Sequence, residues 1–368
     1  MGARLALAVA AVVTFAHVAL AAAPAEKWGL KTGDVTLQSA GPLAFGLDGI
    51  VFVGDLKAAT VYAIDTDSAK GDASKVTHTI DKLNEKLAAA LSAKQVIVND
   101  LAVNPDSGQI VISATADGKA ALVRIDEKGA ISAIKLAGVP HSKVLLKDAP
   151  EDKEVETKRG KANKRDEAIT DIVYINGRVL VAGLSTAKAP SSVRELAFPF
   201  DEGEEGTSLE IYHAAHGRTE DNAVVRTFIP MNIGGETNVL AGFTCTPLVR
   251  FPLTGISKAS PGDKVRGTTV AELGNRNKPL DMIAYEKDGK TYLLMANSAR
   301  GVMKISTEGI TKNPGLTEPV TGGGVAGQTY ETIKELEGTV QLDKLNDTSA
   351  VVVISAGGAL NLKTVALP

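Results

Sequence analysis

The side chains in this sequence best suited to hold a metal ion are two closely spaced histidines and a single cysteine. His213 and His216 form an H-x-x-H pair, His141 lies earlier in the chain, and Cys245 is the sole thiol. Imidazole and thiolate ligands suit copper or zinc, and the Irving–Williams order favours copper where it is available. The sequence therefore predicts a copper or zinc site at His141, His213, His216 and Cys245. The alternative is structural, with imidazoles that hydrogen-bond loop backbone and a cysteine that packs as a small apolar residue.

Three aspartates precede apolar stretches of strand length, and an arginine holds the near-matching place in a fourth stretch. An aspartate at the start of a strand can accept backbone N–H groups of a neighbouring sheet, which is a structural role. A ring of such carboxylates could instead bind a cation or a polar ligand, or do acid–base chemistry if burial raises one pKa. The ligand-binding candidates that follow from this pattern are Asp100, Asp171, Arg226, Asp281, Asn297 and Arg276.

A repeated pattern positions these residues. An apolar stretch, a turn with Gly or Asp, a second apolar stretch, a polar gap and a third apolar stretch recur six times between Leu43 and Ala366. Dipeptides such as Asp-Gly and Asn-Gly favour positive φ, as tight hairpins require. Candidate fourth strands lie between the copies, at 131–136, 209–213 and 269–273. The turn positions are Gly49, Gly108, Gly177, Gly235, Gly289 and Asp347.

A four-stranded unit repeated six times predicts an all-β fold, a six-bladed β-propeller of four-stranded blades, with seven blades as the alternative. Radial closure hides sheet edges that an open meander would expose. We expect a strand from the region 29–39 to complete the last blade. In such blades the start of strand one and the link after strand two share a face. The aspartates, the linking histidines and Cys245 should therefore lie on one face over the central channel, with the glycine hairpins on the other.

Two segments interrupt the repeat. Residues 80–91 predict one short helical insertion, because Leu83, Leu87 and Leu91 recur every four residues. His78, just before it, is expected at the surface. Residues 142–168 hold eight basic and seven acidic residues, which is typical of a solvated insertion loop. An anion-binding arm is the less favoured interpretation of this loop because its charges cancel.

Residues 1–22 have the pattern of a signal peptide. Arg4 provides the positive start, an apolar run follows to Leu20, and Ala19-Leu20-Ala21 fits the small-x-small cleavage rule. A membrane anchor is the alternative, but the run is short for a span. We therefore predict a periplasmic or secreted protein without a membrane anchor after cleavage, with residues 23–368 as a single propeller domain.

Composition narrows the choice of partners. The 368 residues are 44% apolar and carry a net charge of −3, so nothing in the charge favours nucleic acid. Only 4% are aromatic, which gives little support to base or sugar stacking. A single cysteine excludes a disulfide framework and a cysteine-rich zinc module.

The repeat layout resembles the bacterial exported propellers of the amine-dehydrogenase-like, YVTN-type and gluconolactonase-like group. The resemblance covers the mature chain at the level of architecture and carries over no catalytic residues. The leading hypothesis is an exported propeller that binds a small molecule or metal ion over its channel. The alternatives are a metal-assisted oxidoreductase or lactonase-like hydrolase on the same face, and a non-catalytic scaffold that binds a protein partner.

Overall fold

Six sheets of four or more strands form a six-bladed β-propeller, as predicted, and there is no seventh sheet of blade size in the described part of the chain. A computed structural model describes residues 24–368 apart from 69, 158–159, 204 and 261. The signal peptide predicted for residues 1–22 lies outside these described residues. No helix among those described is long and apolar enough to cross a membrane.

The first three blades, numbered by the chain order of their innermost strands, have the following strands from the channel outward. Blade 1 contains Leu43–Phe45, Ile50–Asp55, Thr60–Asp65, Val139–Leu145 and Lys31–Gly33. Blade 2 contains Val96–Val103, Ile110–Ala116, Lys119–Ile125 and Ile131–Ala133. Blade 3 contains Asp171–Ile175, Arg178–Leu184, Ser191–Ala197 and Thr207–His213, with Arg218–Glu220 and Lys264–Arg266 along its outer edge.

The other three blades follow the same plan. Blade 4 contains Val225–Ile233, Glu236–Phe243, Pro247–Pro252, Thr268–Leu273 and Val325–Gly327. Blade 5 contains Pro279–Lys287, Lys290–Asn297, Gly301–Ser306 and Tyr330–Ile333. Blade 6 contains Thr339–Lys344, Ser349–Ala356, Ala359–Ala366 and Thr79–Ile80. The short α-helices are Pro24–Lys27, Leu83–Ala90 and Leu253–Ser257.

Local turn chemistry explains the inner hairpins. At Asn176-Gly177 both residues have positive φ, 51° and 78°, and Asp288-Gly289 has 52° and 71°. Two consecutive left-handed residues make the tight turn whose twist matches the flanking strands. The predicted fourth strands are also present in blades 2, 3 and 4, and the predicted helix forms at Leu83–Ala90, with Leu83 and Leu87 fully buried.

The hydrophobic core of this protein is divided into six clusters, and each lies between two neighbouring blades. The clusters join blades 1 and 3, 3 and 4, 4 and 5, 5 and 6, 6 and 2, and 2 and 1. The middle strands are therefore buried on both faces, which explains their continuous apolar runs. The order of the blades around the ring is 1–3–4–5–6–2, so blades 1 and 2 are exchanged relative to the chain order.

The link from blade 1 to Thr79–Ile80 produces this exchange. Among its described residues, Ser68 bonds to Asn104 and His78 to Gly108 on the hairpin side of blade 2, and Thr79–Ile80 then pairs with the outer edge of blade 6. His78, expected at the surface, is 1% exposed, and its Nε2 lies 2.9 Å from the carbonyl oxygen of Gly108. The expectation that region 29–39 completes the last blade is wrong, because Lys31–Gly33 pairs with Val139–Leu145 in blade 1.

The described residues of the charged stretch 142–168 include the end of a strand and a hairpin, and most of those between 151 and 163 are exposed. Its first residues finish a strand of blade 1, and Glu154–Thr157 pairs with Gly160–Asn163 in a separate hairpin. Arg194 is 0% exposed and donates from Nε to Asp148 Oδ1 at 2.7 Å. Its other nitrogens donate to the carbonyl oxygens of Ala168 and Leu184. One buried guanidinium thus fastens both ends of the insertion to blade 3.

We predict that Arg194→Leu lowers the free energy of unfolding by about 3–5 kcal/mol, because it leaves the Asp148 carboxylate buried without its cation. Urea unfolding followed by circular dichroism measures this change. Arg178→Leu is the matched control, since the side chain of Arg178 is 53% exposed where it pairs with Glu195 at 2.9 Å. Loss of an ion pair that solvent reaches costs about 1 kcal/mol, less than loss of a fully buried one. Equal losses in the two variants would contradict the anchoring role of Arg194.

Candidate functional site

A tight reversal at the outer edge of blade 3 brings three potential metal ligands together. The strand Thr207–His213 ends in the short 3₁₀ turn Ala214–His216, and Gly217 follows with φ +62°. The chain then returns as Arg218–Glu220, antiparallel to the strand it has left. Glycine suits this left-handed position because it has no Cβ. As a result Glu220 returns to the side chains of His213 and His216.

The three side chains form a compact group. Nδ1 of His213 lies 2.9 Å from Oε2 of Glu220, and Nδ1 of His216 lies 2.8 Å from Oε1. One potential ligand atom from each residue lies within 4.8 Å of the others, and these three are the only such group among the residues that the structure describes. The imidazole centroids are 3.7 Å apart. The group is defined as the rim triad below.

The electrostatics of the rim triad keep Glu220 charged. Burial raises the pKa of Glu220, but hydrogen bonds from His213, His216 and Arg218 outweigh it and bring the pKa to about 2. The carboxyl is therefore ionised above that pH, and it presents negative charge between two imidazoles. Arg218 Nε donates to Glu220 Oε1 at 2.9 Å from a largely exposed side chain.

The rim triad has one closed side and one open side. His213 is 1% exposed, whereas the side chain of His216 is 41% exposed. The closed side packs against blade 4, where Glu272 is fully buried and Oε1 accepts the N–H of Ala215 at 3.1 Å. Burial raises the pKa of Glu272, and the hydrogen bond from the N–H of Ala215 opposes this increase. Solvent therefore reaches the triad past His216.

The structure brings together only two of the four predicted metal ligands. His141 is on the fourth strand of blade 1, with Nδ1 3.0 Å from the carbonyl oxygen of Val139. Cys245 lies in blade 4, in a left-handed turn where its N–H donates to the carbonyl oxygen of Asn277. Neither joins the rim triad, which lies at the outer edge of the ring and not over the channel.

Sequence reasoning missed Glu220 and Glu272. The stretch from 213 to 220 reads HAAHGRTE, so a glutamate follows the second histidine by four residues across a glycine. A glycine that reverses the chain was the available signal for Glu220. Glu272 comes from another blade, and no local spacing indicates it.

The predicted aspartates make the contacts of the structural interpretation. In Asp100, Asp171 and Asp281, one carboxylate oxygen accepts a hydrogen bond from the N–H of the residue that follows. The other oxygen accepts a backbone N–H from the innermost strand of the next blade, and a fourth aspartate not predicted from the sequence, Asp343, does the same. These bonds between blades, at 2.7–2.8 Å, join Leu43 to Asp100, Phe228 to Asp171, Leu342 to Asp281 and Val103 to Asp343.

The same four carboxyls line the central channel, a cavity of about 770 Å³. Removal from bulk water raises the pKa of Asp171 to about 7 and that of Asp343 to about 6. For Asp100 and Asp281 the same cause and the charges of the neighbouring aspartates raise the pKa well above its usual value. The cavity lining continues to the hairpins at 105–106 and 346–347, so it extends toward the face opposite to the one predicted for a ligand.

The remaining three candidates are not among the residues that line the channel cavity. Arg226 pairs with Glu167 at 2.6 Å. Asn297 is buried, and its Oδ1 accepts the N–H groups of Ala299 and Arg300 in a turn. Arg276 is exposed in the link before blade 5, with φ +61°. Arg226 and Asn297 therefore bond to polar groups of the protein outside the channel cavity.

No known protein family and no curated protein matches this chain. Solved structures with similar folds include the PQQ-bound aldose sugar dehydrogenase of Streptomyces coelicolor, which is 13% identical with a TM-score of 0.34 and covers 91% of this chain and 96% of its own. An oxidoreductase (glucose dehydrogenase) of Thermus thermophilus is 13% identical with a TM-score of 0.33, over 92% of this chain and 100% of its own. Raptor of Chaetomium thermophilum is 10% identical with a TM-score of 0.40, over 92% of this chain and 30% of its own. The fold assignment rests on the sheet topology, not on these scores.

We predict that the free energy of unfolding falls as pH rises from about 4 to 7, in part because Asp171 ionises over this range. Its pKa in the folded protein is about 7 against 3.8 as the ordinary value, so the folded state holds the proton more tightly. Ionisation above pH 4 therefore favours the unfolded chain, by up to about 4 kcal/mol for a shift of this size. In Asp171→Asn this contribution is absent, and its free energy of unfolding should fall less steeply with pH.

Urea unfolding at a series of pH values between 4 and 8 measures both curves. Asp288→Asn is the matched control, because Asp288 sits in a hairpin of blade 5 where Asn tolerates the same positive φ. Its curve should run parallel to that of the wild type. Parallel curves for wild type and Asp171→Asn would show that Asp171 does not carry the pH dependence.

Proposed function

We propose that this propeller binds a divalent transition-metal ion, zinc or copper, at the rim triad of His213, His216 and Glu220. The observation that carries the proposal is the convergence of two imidazole Nδ1 atoms on the two oxygens of one carboxylate, at 2.9 and 2.8 Å. Imidazole nitrogen and carboxylate oxygen are among the ligand atoms that zinc and copper take from proteins. The low pKa of Glu220 supports the proposal, because the anion is present at any physiological pH.

An ion fits the triad with a small expansion. Zinc bonds to imidazole nitrogen and carboxylate oxygen are about 2.0–2.2 Å long, so ligand atoms around a tetrahedral ion lie roughly 3.3–3.5 Å apart. The present N···O separations of 2.8 and 2.9 Å are those of hydrogen bonds. The ion would replace the protons that now lie between the imidazoles and the carboxylate, and the ligands would move apart by about half an ångström.

Three protein ligands leave one tetrahedral position for water or another small ligand. The exposed side chain of His216 favours a position that solvent can reach. This open position is also what a metal-assisted oxidoreductase or hydrolase would need, so the enzymatic alternative depends on the same triad. The segment 1–22 supports our proposal that the ion is bound outside the cytoplasm, in the periplasm or after secretion.

We expect isothermal titration of the purified protein with Zn²⁺ to show one site. Glu220→Gln removes the anionic ligand, and His216→Ala removes an imidazole from an exposed position where the fold tolerates the change. Each variant should lose about 100-fold or more in affinity, since even residues that only support a ligand are worth 10–100-fold. A parallel titration with Cu²⁺ measures which of the two ions binds more tightly.

His141→Ala and Cys245→Ala are the controls, because both residues are candidate ligands by type but lie outside the rim triad. Their zinc affinity should equal that of the wild type. The proposal is wrong if the wild type takes up no zinc or copper, or if Glu220→Gln and His216→Ala bind as tightly as the wild type. Circular dichroism confirms that each variant is folded.

A further inference from the structure

Two buried polar atoms beside the rim triad have no hydrogen-bond partner within the part of the chain that the structure describes. They are Nε2 of His213 and Oε2 of Glu272. His213 is 1% exposed and Glu272 is 0% exposed, so solvent does not satisfy either atom. A buried donor or acceptor without a partner costs about 1–3 kcal/mol. Two such atoms on neighbouring side chains therefore call for a common explanation.

Glu272 is held close to both histidines. It lies on Thr268–Leu273, the fourth strand of blade 4, and its Oε1 accepts the N–H of Ala215 in the turn between His213 and His216. One of its oxygens is thus fixed on the turn, and the other, Oε2, has no partner among the described residues.

The proton on His213 explains why the two atoms do not pair without a metal. His213 Nδ1 lies at hydrogen-bond distance from Glu220 Oε2, and in the tautomer that donates from Nδ1 the other nitrogen, Nε2, has a lone pair in place of a proton. A lone pair cannot bond to a carboxylate oxygen. With a metal ion on Nδ1, the single proton of a neutral imidazole would lie on Nε2, which would then be a donor.

We propose that Glu272 is a positioning residue for the metal, which accepts a hydrogen bond from Nε2–H of His213 once Nδ1 holds the ion. This inference rests on the metal site proposed above. Histidine ligands commonly donate their second ring N–H to a carboxylate, which fixes the tautomer and the ring orientation. Here the carboxylate comes from blade 4 and the ligands from blade 3, so the ion links the outer edges of two blades.

Glu272→Gln tests the inference with little change in shape. The glutamine keeps an oxygen for the N–H of Ala215 but presents an NH₂ group, which cannot accept from Nε2–H. We expect zinc affinity by calorimetry to fall about 10–100-fold. Glu195→Gln is the matched control, because Glu195 is a partly buried glutamate of blade 3 that pairs with Arg178, outside the rim triad. Its zinc affinity should not change.

A spectroscopic readout separates positioning from a structural role. In zinc-loaded protein labelled with ¹⁵N-histidine, the wild type should show His213 protonated at Nε2 and hydrogen-bonded, and Glu272→Gln should lose the signature of that hydrogen bond. A zinc-loaded wild type without this signal overturns the inference even if the variant does not fold.

The two proposals fail in different ways. If the wild type binds no zinc, the metal site itself is wrong, and the role of Glu272 falls with it. If the wild type binds zinc and Glu272→Gln binds it equally well, with an unchanged His213 signal, Glu272 only caps the turn. In that case the rim triad stands as the metal site and this inference is overturned.

Discussion

Burial of both faces of every blade is the constraint on which the rest of this structure depends. A sheet in the ring packs against a neighbour on each side, and the six apolar clusters between blades replace a single central core. With buried exceptions such as Arg194, which is paired with Asp148, the polar groups described above lie in three places: the channel, the turns and the outer edges. The channel aspartates and the rim triad occupy the first and the last of these.

The channel aspartates add hydrogen bonds to this apolar packing at four of the six junctions between blades. Asp343 joins blade 6 to blade 2, Asp100 joins blade 2 to blade 1, Asp171 joins blade 3 to blade 4, and Asp281 joins blade 5 to blade 6. All four bonds run in the same direction around the ring. Four raised pKa values accompany this arrangement, because the carboxyls lie away from bulk water and close to one another.

Much of the fold could be predicted because its signals are local. Asn176-Gly177 and Asp288-Gly289 determine their own turns, and the apolar runs between turns need no distant information to become strands. The exchange of blades 1 and 2 could not be predicted in this way. It depends on the segment 66–78 and on a pairing between Ile80 and Leu362, and neither leaves a pattern in the local sequence.

In the candidate site, too, local sequence indicates some residues and only the packing of the blades places the others. His213 and His216 were found because they are neighbours in the chain, and Asp100, Asp171 and Asp281 because they share a place in the repeat. Residue type and expected face group His141 and Cys245 with the histidines, but His141 belongs to blade 1 and Cys245 to blade 4, and neither joins the rim triad of blade 3. Glu272 belongs to another blade, so only the packed structure places it beneath the histidine turn.

The exchanged blades also affect how the chain acquires its structure during synthesis. Blade 1 receives its fourth strand, Val139–Leu145, only after the whole of blade 2 has been made. The N–H of His78 bonds to a side chain 286 positions later, at Thr364, so the ring closes only when the last strand has left the ribosome. Contacts this distant in sequence slow folding, because a long loop must be closed before they form.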